Sequence, residues 1–144
     1  MRDRRELVLR VALAYLAVPQ LLIGVWGVLD PKGWFENFPG IGGSHWVAAD
    51  PPYNQHLTTD ATSGFLAVGV VLAVAIVWRD RRVRQLALIA FLVQGLPHVI
   101  FHVLNPSDAL GTGDQIVSTG GLAFGCLVAV VLLVAVSRRP AVAS

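Results

Sequence analysis

The chain has few charged residues. Asp, Glu, Lys and Arg make up 14% of its 144 residues, whereas an ordinary soluble domain contains about 25%. Its single cysteine, Cys126, excludes an internal disulfide and a zinc site built from several cysteines. The sequence also lacks a P-loop, a dinucleotide-binding fingerprint, a G-x-S-x-G elbow and an H-E-x-x-H motif. These absences argue against a typical soluble enzyme.

Long apolar stretches dominate what is present. Hydrophobic residues make up 55% of the chain, and its mean hydropathy is +0.65. Four uncharged apolar stretches each approach the roughly 20 residues that a helix needs to cross a bilayer, and none shows the period-two alternation of a barrel strand. They cover residues 11–29, 61–78, 86–104 and 116–136. We therefore predict an all-α, four-transmembrane-helix bundle.

The predicted architecture is a single transmembrane domain over residues 1–144 with a long first outer loop. The helices are expected at about residues 7–29, 57–78, 84–104 and 114–137, and the loop at residues 30–56. This loop is rich in Trp, Phe and Pro. It would either lie flat at the headgroup level, which aromatic side chains prefer, or form a lid over a site between the helix ends. His45 lies in its glycine-rich part and is expected to be solvated.

The arginines predict an orientation. All ten fall in three groups, at residues 2–10, 79–84 and 138–139, whereas segments 30–60 and 105–115 contain one lysine and six acidic residues. Because basic loops stay in the cytoplasm, both termini are predicted to be cytoplasmic, and the first helix to be retained rather than cleaved as a signal peptide. The excess of arginine over lysine favours a bacterial inner-membrane protein. The basic balance then reflects topology and predicts no nucleic-acid partner.

Polar or small residues recur at helical spacing in all four apolar stretches. Ionisable groups at membrane depth normally face a bundle interior or a water-filled cavity, and glycines let helices approach closely. The stripes comprise Gln20, Gly24 and Gly27; His56, Asp60 and Ser63; Gln94, His98, His102 and Asn105; and Asp114, Ser118, Gly121 and Gly125. We expect them to converge, with a helix kink at the neighbouring Pro97.

Two i, i+4 pairs predict a metal site near the outer ends of the helices. His56 with Asp60, and His98 with His102, each place two ligating groups on one helix face. Three imidazoles and a carboxylate suit zinc, copper or iron. Asp114 would be a fifth ligand, fix a histidine tautomer or act as a general base, and Asp60 would share the catalytic role. The alternatives are a hydrogen-bonded network without metal, or unrelated surface residues.

The segments PPYNQHLTTD (51–60) and LPHVIFH (96–102) carry a resemblance. With these motifs the chain resembles small uncharacterised four-helix membrane proteins of actinobacteria. It also resembles the emopamil-binding, or EXPERA, sterol-isomerase domain, in which H-x-x-x-E places an acid and a base around a lipid double bond. That resemblance implies acid–base roles for His56 and Asp60, with Asp in place of Glu.

Several functions remain compatible with these residues. The first is a metal-dependent enzyme acting on a membrane lipid or another lipid-soluble molecule. The second is a metal-free isomerase or cyclase of an isoprenoid or sterol-like lipid, in which Asp60 or Asp114 works with a histidine. A b-type haem protein would use His56 and either His98 or His102 as axial ligands. The last is a non-enzymatic binding or assembly subunit, in which the polar stripes lock the four helices together. Each of these functions is compatible with a homo-oligomer.

Overall fold

The computed structural model describes residues 2–138 and contains five helices. They are α1 (Arg2–Leu29), α2 (Pro31–Asn37), α3 (Gln55–Trp78), α4 (Arg81–Leu104) and α5 (Thr112–Ser137). The described residues form no β-strand, and their only bridge joins Pro39 to His45. As predicted, four helices (all except α2) are long and apolar enough to cross a membrane. Arg139, counted in the third basic group, lies outside the described residues.

Polar caps define the helix ends. The Asn54 side chain accepts a hydrogen bond from a backbone N–H in the first turn of α3, and the Asp80 carboxylate does the same for α4. Arg79 ends α3 in the left-handed conformation, with φ 56°. The two-residue link between the helices makes α3 and α4 antiparallel neighbours.

Helix α2 lies inside the segment that we predicted to be a loop. Asp30 caps it by accepting a hydrogen bond from the backbone N–H of Gly33 at 2.9 Å, and Pro31 occupies its first turn, where a missing N–H costs nothing. The segment between α1 and α3, which we predicted as a long loop, is therefore partly helical.

Glycines bring α1 and α3 into direct contact. A Cβ atom on Gly27 would overlap the side chain of Thr62, and one on Gly69 would lie 2.9 Å from the backbone nitrogen of Leu21. Gly24 meets the backbone of α3 in the same way. The close packing expected of small residues between membrane helices is thus present along this pair.

All four long helices contribute to one apolar core. Its members are Leu13, Leu16, Ala17, Leu72, Ala75, Ala87, Leu88, Phe91, Cys126, Ala129 and Leu132. The two glycines of the predicted stripe on α5 differ in their surroundings. Gly125 lies against Phe91, whereas Gly121 has open space around it. Large apolar side chains such as Leu22, Val77 and Val93 remain on the outside of the bundle. An apolar exterior suits a protein whose solvent is lipid.

The two ends of the bundle differ in charge. We call the end at which α1 begins the basic end, and the opposite end the loop end. At the basic end Arg84 is only 5% exposed, and both of its Nη atoms donate to the carboxylate of Glu6. Arg5 and Arg81 donate to the last carbonyls of α5, where a positive charge is favourable.

Candidate functional site

The closest pair of candidate ligands is on α4. His98 and His102 lie one turn apart on the same face, and their Nε2 atoms are 3.0 Å from each other. At this distance one neutral ring donates a hydrogen bond and the other accepts it. Both residues are half-buried. The i, i+4 spacing thus brings the two imidazoles within hydrogen-bond distance.

Aromatic side chains surround the pair. The ring of Phe65 on α3 meets His98 edge-on, with centroids 5.8 Å apart, and Phe101 meets His102 edge-on at 5.6 Å. Such contacts hold an imidazole through its ring and leave its nitrogen atoms for other partners. The role of Phe65 escaped the sequence analysis because a phenylalanine in an apolar stretch carries no distinguishing signal.

Gln94 extends the same face one turn further into α4. Its Oε1 atom is buried and has no hydrogen-bond partner within residues 2–138. Pro97, between Gln94 and His98, has no N–H, so the carbonyl of Val93 loses its usual helical partner. Helix α4 nevertheless runs unbroken from Arg81 to Leu104. An amide oxygen without a hydrogen-bond partner among the described residues therefore lies one turn from His98 on the same face of α4.

His56 and Asp60 form a second pair at the start of α3. The His56 Nε2 atom lies 3.3 Å from Asp60 Oδ2, and the two side chains are 84% and 61% exposed. Neither faces the bundle interior, where the stripes were expected to converge. The buried polar residues of this part of α3 are Thr58 and Thr62 instead.

The register of α3 explains why the two pairs do not meet. Phe65 contacts His98, and His56 precedes Phe65 by nine residues, or about 13 Å along the helix. Nine residues at about 100° each also place His56 on the opposite face of α3 from Phe65. Across residues 2–138, no three His, Cys, Asp or Glu side chains form a group able to hold a metal ion. The predicted four-ligand set is therefore present as two separate pairs.

Asp114 connects α5 to the segment between α1 and α3. Its Oδ1 atom accepts hydrogen bonds from the Ser44 hydroxyl at 2.7 Å and from Trp46 Nε1 at 2.9 Å. Asp114 also lies in the first turn of α5, where a negative charge is favourable. This carboxylate, which we predicted to assist catalysis, here anchors the loop.

Further contacts fold the loop across its end of the bundle. His45, expected to be solvated, is exposed, yet its Nδ1 atom lies 2.6 Å from the carbonyl oxygen of Glu36. The Ser107 hydroxyl donates to the carbonyl of Ala49 at 3.3 Å. Aromatic contacts join Phe38 of the loop to Trp34 and Trp46 and to Trp26 of α1. The loop is thus attached to α1 and α5 and to the turn between α4 and α5.

Comparison with known proteins gives no match to a family model, to a curated protein or to a solved structure. The geometry of the chain's own residues therefore carries the functional argument.

Proposed function

We propose that this membrane protein binds one transition metal ion through His98 and His102 and uses it on a lipid-soluble substrate. The observation that carries the proposal is the 3.0 Å separation of the two Nε2 atoms. The pair lies in a helix apolar enough to span a membrane, so molecules dissolved in the bilayer are its natural ligands.

The spacing of the imidazoles is close to that of a chelate. A zinc–nitrogen bond of about 2.0–2.1 Å in tetrahedral geometry places two ligand nitrogens about 3.3 Å apart. The observed separation is a few tenths of an ångström shorter, so a small rotation of either ring would admit the ion. Imidazole also suits copper and iron.

Two protein ligands leave coordination positions free. The unpaired Oε1 of Gln94 lies on the same face of α4, where it would accept a hydrogen bond from a metal-bound water. His56 and Asp60 complete the predicted set only if the start of α3 rotates. An incompletely ligated metal can polarise a substrate oxygen or lower the pKa of bound water.

The test is the metal content of the detergent-purified protein, measured by inductively coupled plasma mass spectrometry. We expect about one equivalent of zinc, copper or iron, which is lost in the double variant His98→Ala/His102→Ala. His45→Ala is the matched control, because it removes an exposed histidine from the loop. The variant His56→Ala/Asp60→Ala shows whether α3 contributes ligands.

Each result has a definite meaning. If His56→Ala/Asp60→Ala retains the metal, the two histidines of α4 suffice to bind it. If this variant loses the metal, α3 contributes ligands, as the predicted four-ligand site requires. No metal in the unmodified protein, even after incubation with each ion, overturns the proposal. A Soret band in the purified protein would instead identify b-type haem.

A second function is favoured by the same distance. At 3.0 Å the two rings share a hydrogen bond, as in a metal-free acid–base pair acting on an isoprenoid or sterol-like lipid. NMR of ¹⁵N-histidine-labelled protein would then show a hydrogen bond between the two Nε2 atoms. His102→Ala would remove this hydrogen bond. Its absence in the unmodified, metal-free protein would exclude the acid–base pair.

We propose further that the protein resides in a bacterial inner membrane with both termini in the cytoplasm. The support is the distribution of arginine, which favours a cytoplasmic location for the basic end. The loop, Asp114 and both histidine pairs would then belong to the outer side.

A further inference from the structure

At the basic end, arginines in or next to the ends of all four membrane-spanning helices line one pocket. It has a volume of about 390 Å³ and is lined by Arg5, Arg79, Arg81, Arg84 and Arg138. These arginines carry the predicted topology, but positive-inside charge requires only that they be on one side of the membrane. It does not require that five of them face a common cavity.

The acidic residues in the pocket do not balance this charge. Asp3 and Glu6 are the carboxylates that line it, so three of the five positive charges have no acidic counterpart among the lining residues. Glu6 is already engaged, because both of its oxygens accept hydrogen bonds from Arg84. Asp80, between Arg79 and Arg81, is also engaged. Its carboxylate caps α4 by accepting hydrogen bonds from the backbone N–H groups of Arg82 and Val83.

Hydrogen bonds hold three of the five arginines in place. Arg84 is almost fully buried and is fixed by Glu6. Arg81 donates through Nε and Nη2 to the carbonyls of Val136 and Ser137, and Arg5 uses one Nη atom on Ala135. Each guanidinium has five N–H donors, so donors remain for a ligand after these bonds are made.

We propose that this pocket binds a phosphate group. A planar guanidinium forms paired hydrogen bonds with phosphate oxygens, and a cavity of this volume is within the range of small-molecule sites. Basic pockets between transmembrane helices bind acidic lipid headgroups. The phosphate belongs either to such a headgroup or to a free anion, since both present the same oxygens to the arginines.

The test compares a pocket variant with a variant of equal charge. Arg79→Gln/Arg138→Gln removes two positive charges from the pocket. It also removes the 3.9 Å contact of Arg79 Nε with Glu6 but retains the two residues of the Arg84–Glu6 hydrogen bonds. Arg4→Gln/Arg82→Gln removes two exposed arginines that do not line it. Binding of short-chain phosphatidylglycerol and of inorganic phosphate to the detergent-purified proteins is measured by isothermal titration calorimetry, with short-chain phosphatidylcholine as the zwitterionic reference.

We expect the pocket variant to bind the anionic probe about tenfold more weakly, because charge-assisted hydrogen bonds are lost, and the control variant to bind it nearly unchanged. Binding of phosphatidylglycerol alone identifies a lipid headgroup, and binding of inorganic phosphate with the same variant dependence identifies a free anion. Equal weakening in both variants would show unspecific attraction to a basic surface and overturn the proposal. Absence of binding by both anionic probes, or equal binding of phosphatidylcholine, would also overturn it.

Discussion

Gly27 of α1 lies so close to Thr62 of α3 that no side chain fits between them. Thr62 is fully buried, and its hydroxyl donates to the carbonyl of Thr58 one turn earlier. This contact fixes the rotation of α3 about its own axis. With this rotation the buried Thr58 and Thr62 face α1, and His56 and Asp60 are exposed on the surface of the bundle.

Gly27→Ala is expected to destabilise the protein by about 2 kcal/mol, because the added methyl group overpacks the contact with Thr62. The measurement is thermal unfolding in detergent, followed by circular dichroism. Gly120→Ala on α5 is the control, since a Cβ there meets open space and alanine is the better helix former. Equal midpoints for Gly27→Ala and the unmodified protein would contradict the tight α1–α3 contact.

Asp114→Ala is expected to release the loop, because Ser44 and Trp46 lose their common acceptor. Amide hydrogen exchange of Trp46, whose backbone N–H donates to Phe38, should become about tenfold faster. Asp108→Ala is the control, because Asp108 is exposed and lies in the connection between α4 and α5. It should leave this exchange unchanged. If both variants exchange alike, Asp114 does not anchor the loop.

Glu6→Gln is expected to lower the free energy of unfolding by about 2 kcal/mol, because the buried Arg84 loses its charged partner. Combining it with Arg84→Gln should restore part of the loss, since no unpaired charge then remains buried. Denaturant unfolding of the four proteins of this cycle gives the coupling energy directly. Asp3→Asn, which removes an exposed carboxylate from the same helix, is the control. A coupling energy of zero would exclude the ion pair as a source of stability.

Cys126 makes the predicted orientation testable. Its thiol is buried between α4 and α5, where a Cβ on Gly95 would lie 2.9 Å from Sγ. We therefore expect no reaction with a membrane-impermeant maleimide in intact cells. Asp108→Cys at the loop end should then be labelled, and Ser137→Cys at the basic end labelled only after lysis. The reverse pattern would invert the proposed topology.

The four spans could be predicted from the sequence because a bilayer imposes the same demand on each of them, an uncharged apolar run of sufficient length. The short α2 was missed because a length criterion ignores seven residues, although Asp30 and Pro31 form a recognisable helix start. The helices also extend beyond the apolar runs. Helix α4, for example, begins directly after its polar cap Asp80, five residues before the apolar run at residue 86.

The candidate site was predictable only within single helices. An i, i+4 spacing places His98 beside His102 wherever the helix lies, but the direction in which His56 points depends on glycines in another helix. The polarity of His56 led us to expect that it faces the bundle interior. At the end of a helix, however, a polar side chain can be exposed without a cost in free energy. The partners of Asp114 are 68 and 70 residues away in the chain, a separation that no local pattern encodes.

The loop and the arginines fasten the helices at opposite ends. Asp114 joins the α1–α3 connection to α5 at one end, and Arg5 and Arg84 join α1 to α5 and α4 at the other. With both ends tied, a hydrophobic molecule approaching His98 would travel sideways between helices from the acyl-chain region. Lateral entry would make the composition of the surrounding bilayer, rather than the aqueous concentration of a ligand, the variable that controls occupancy.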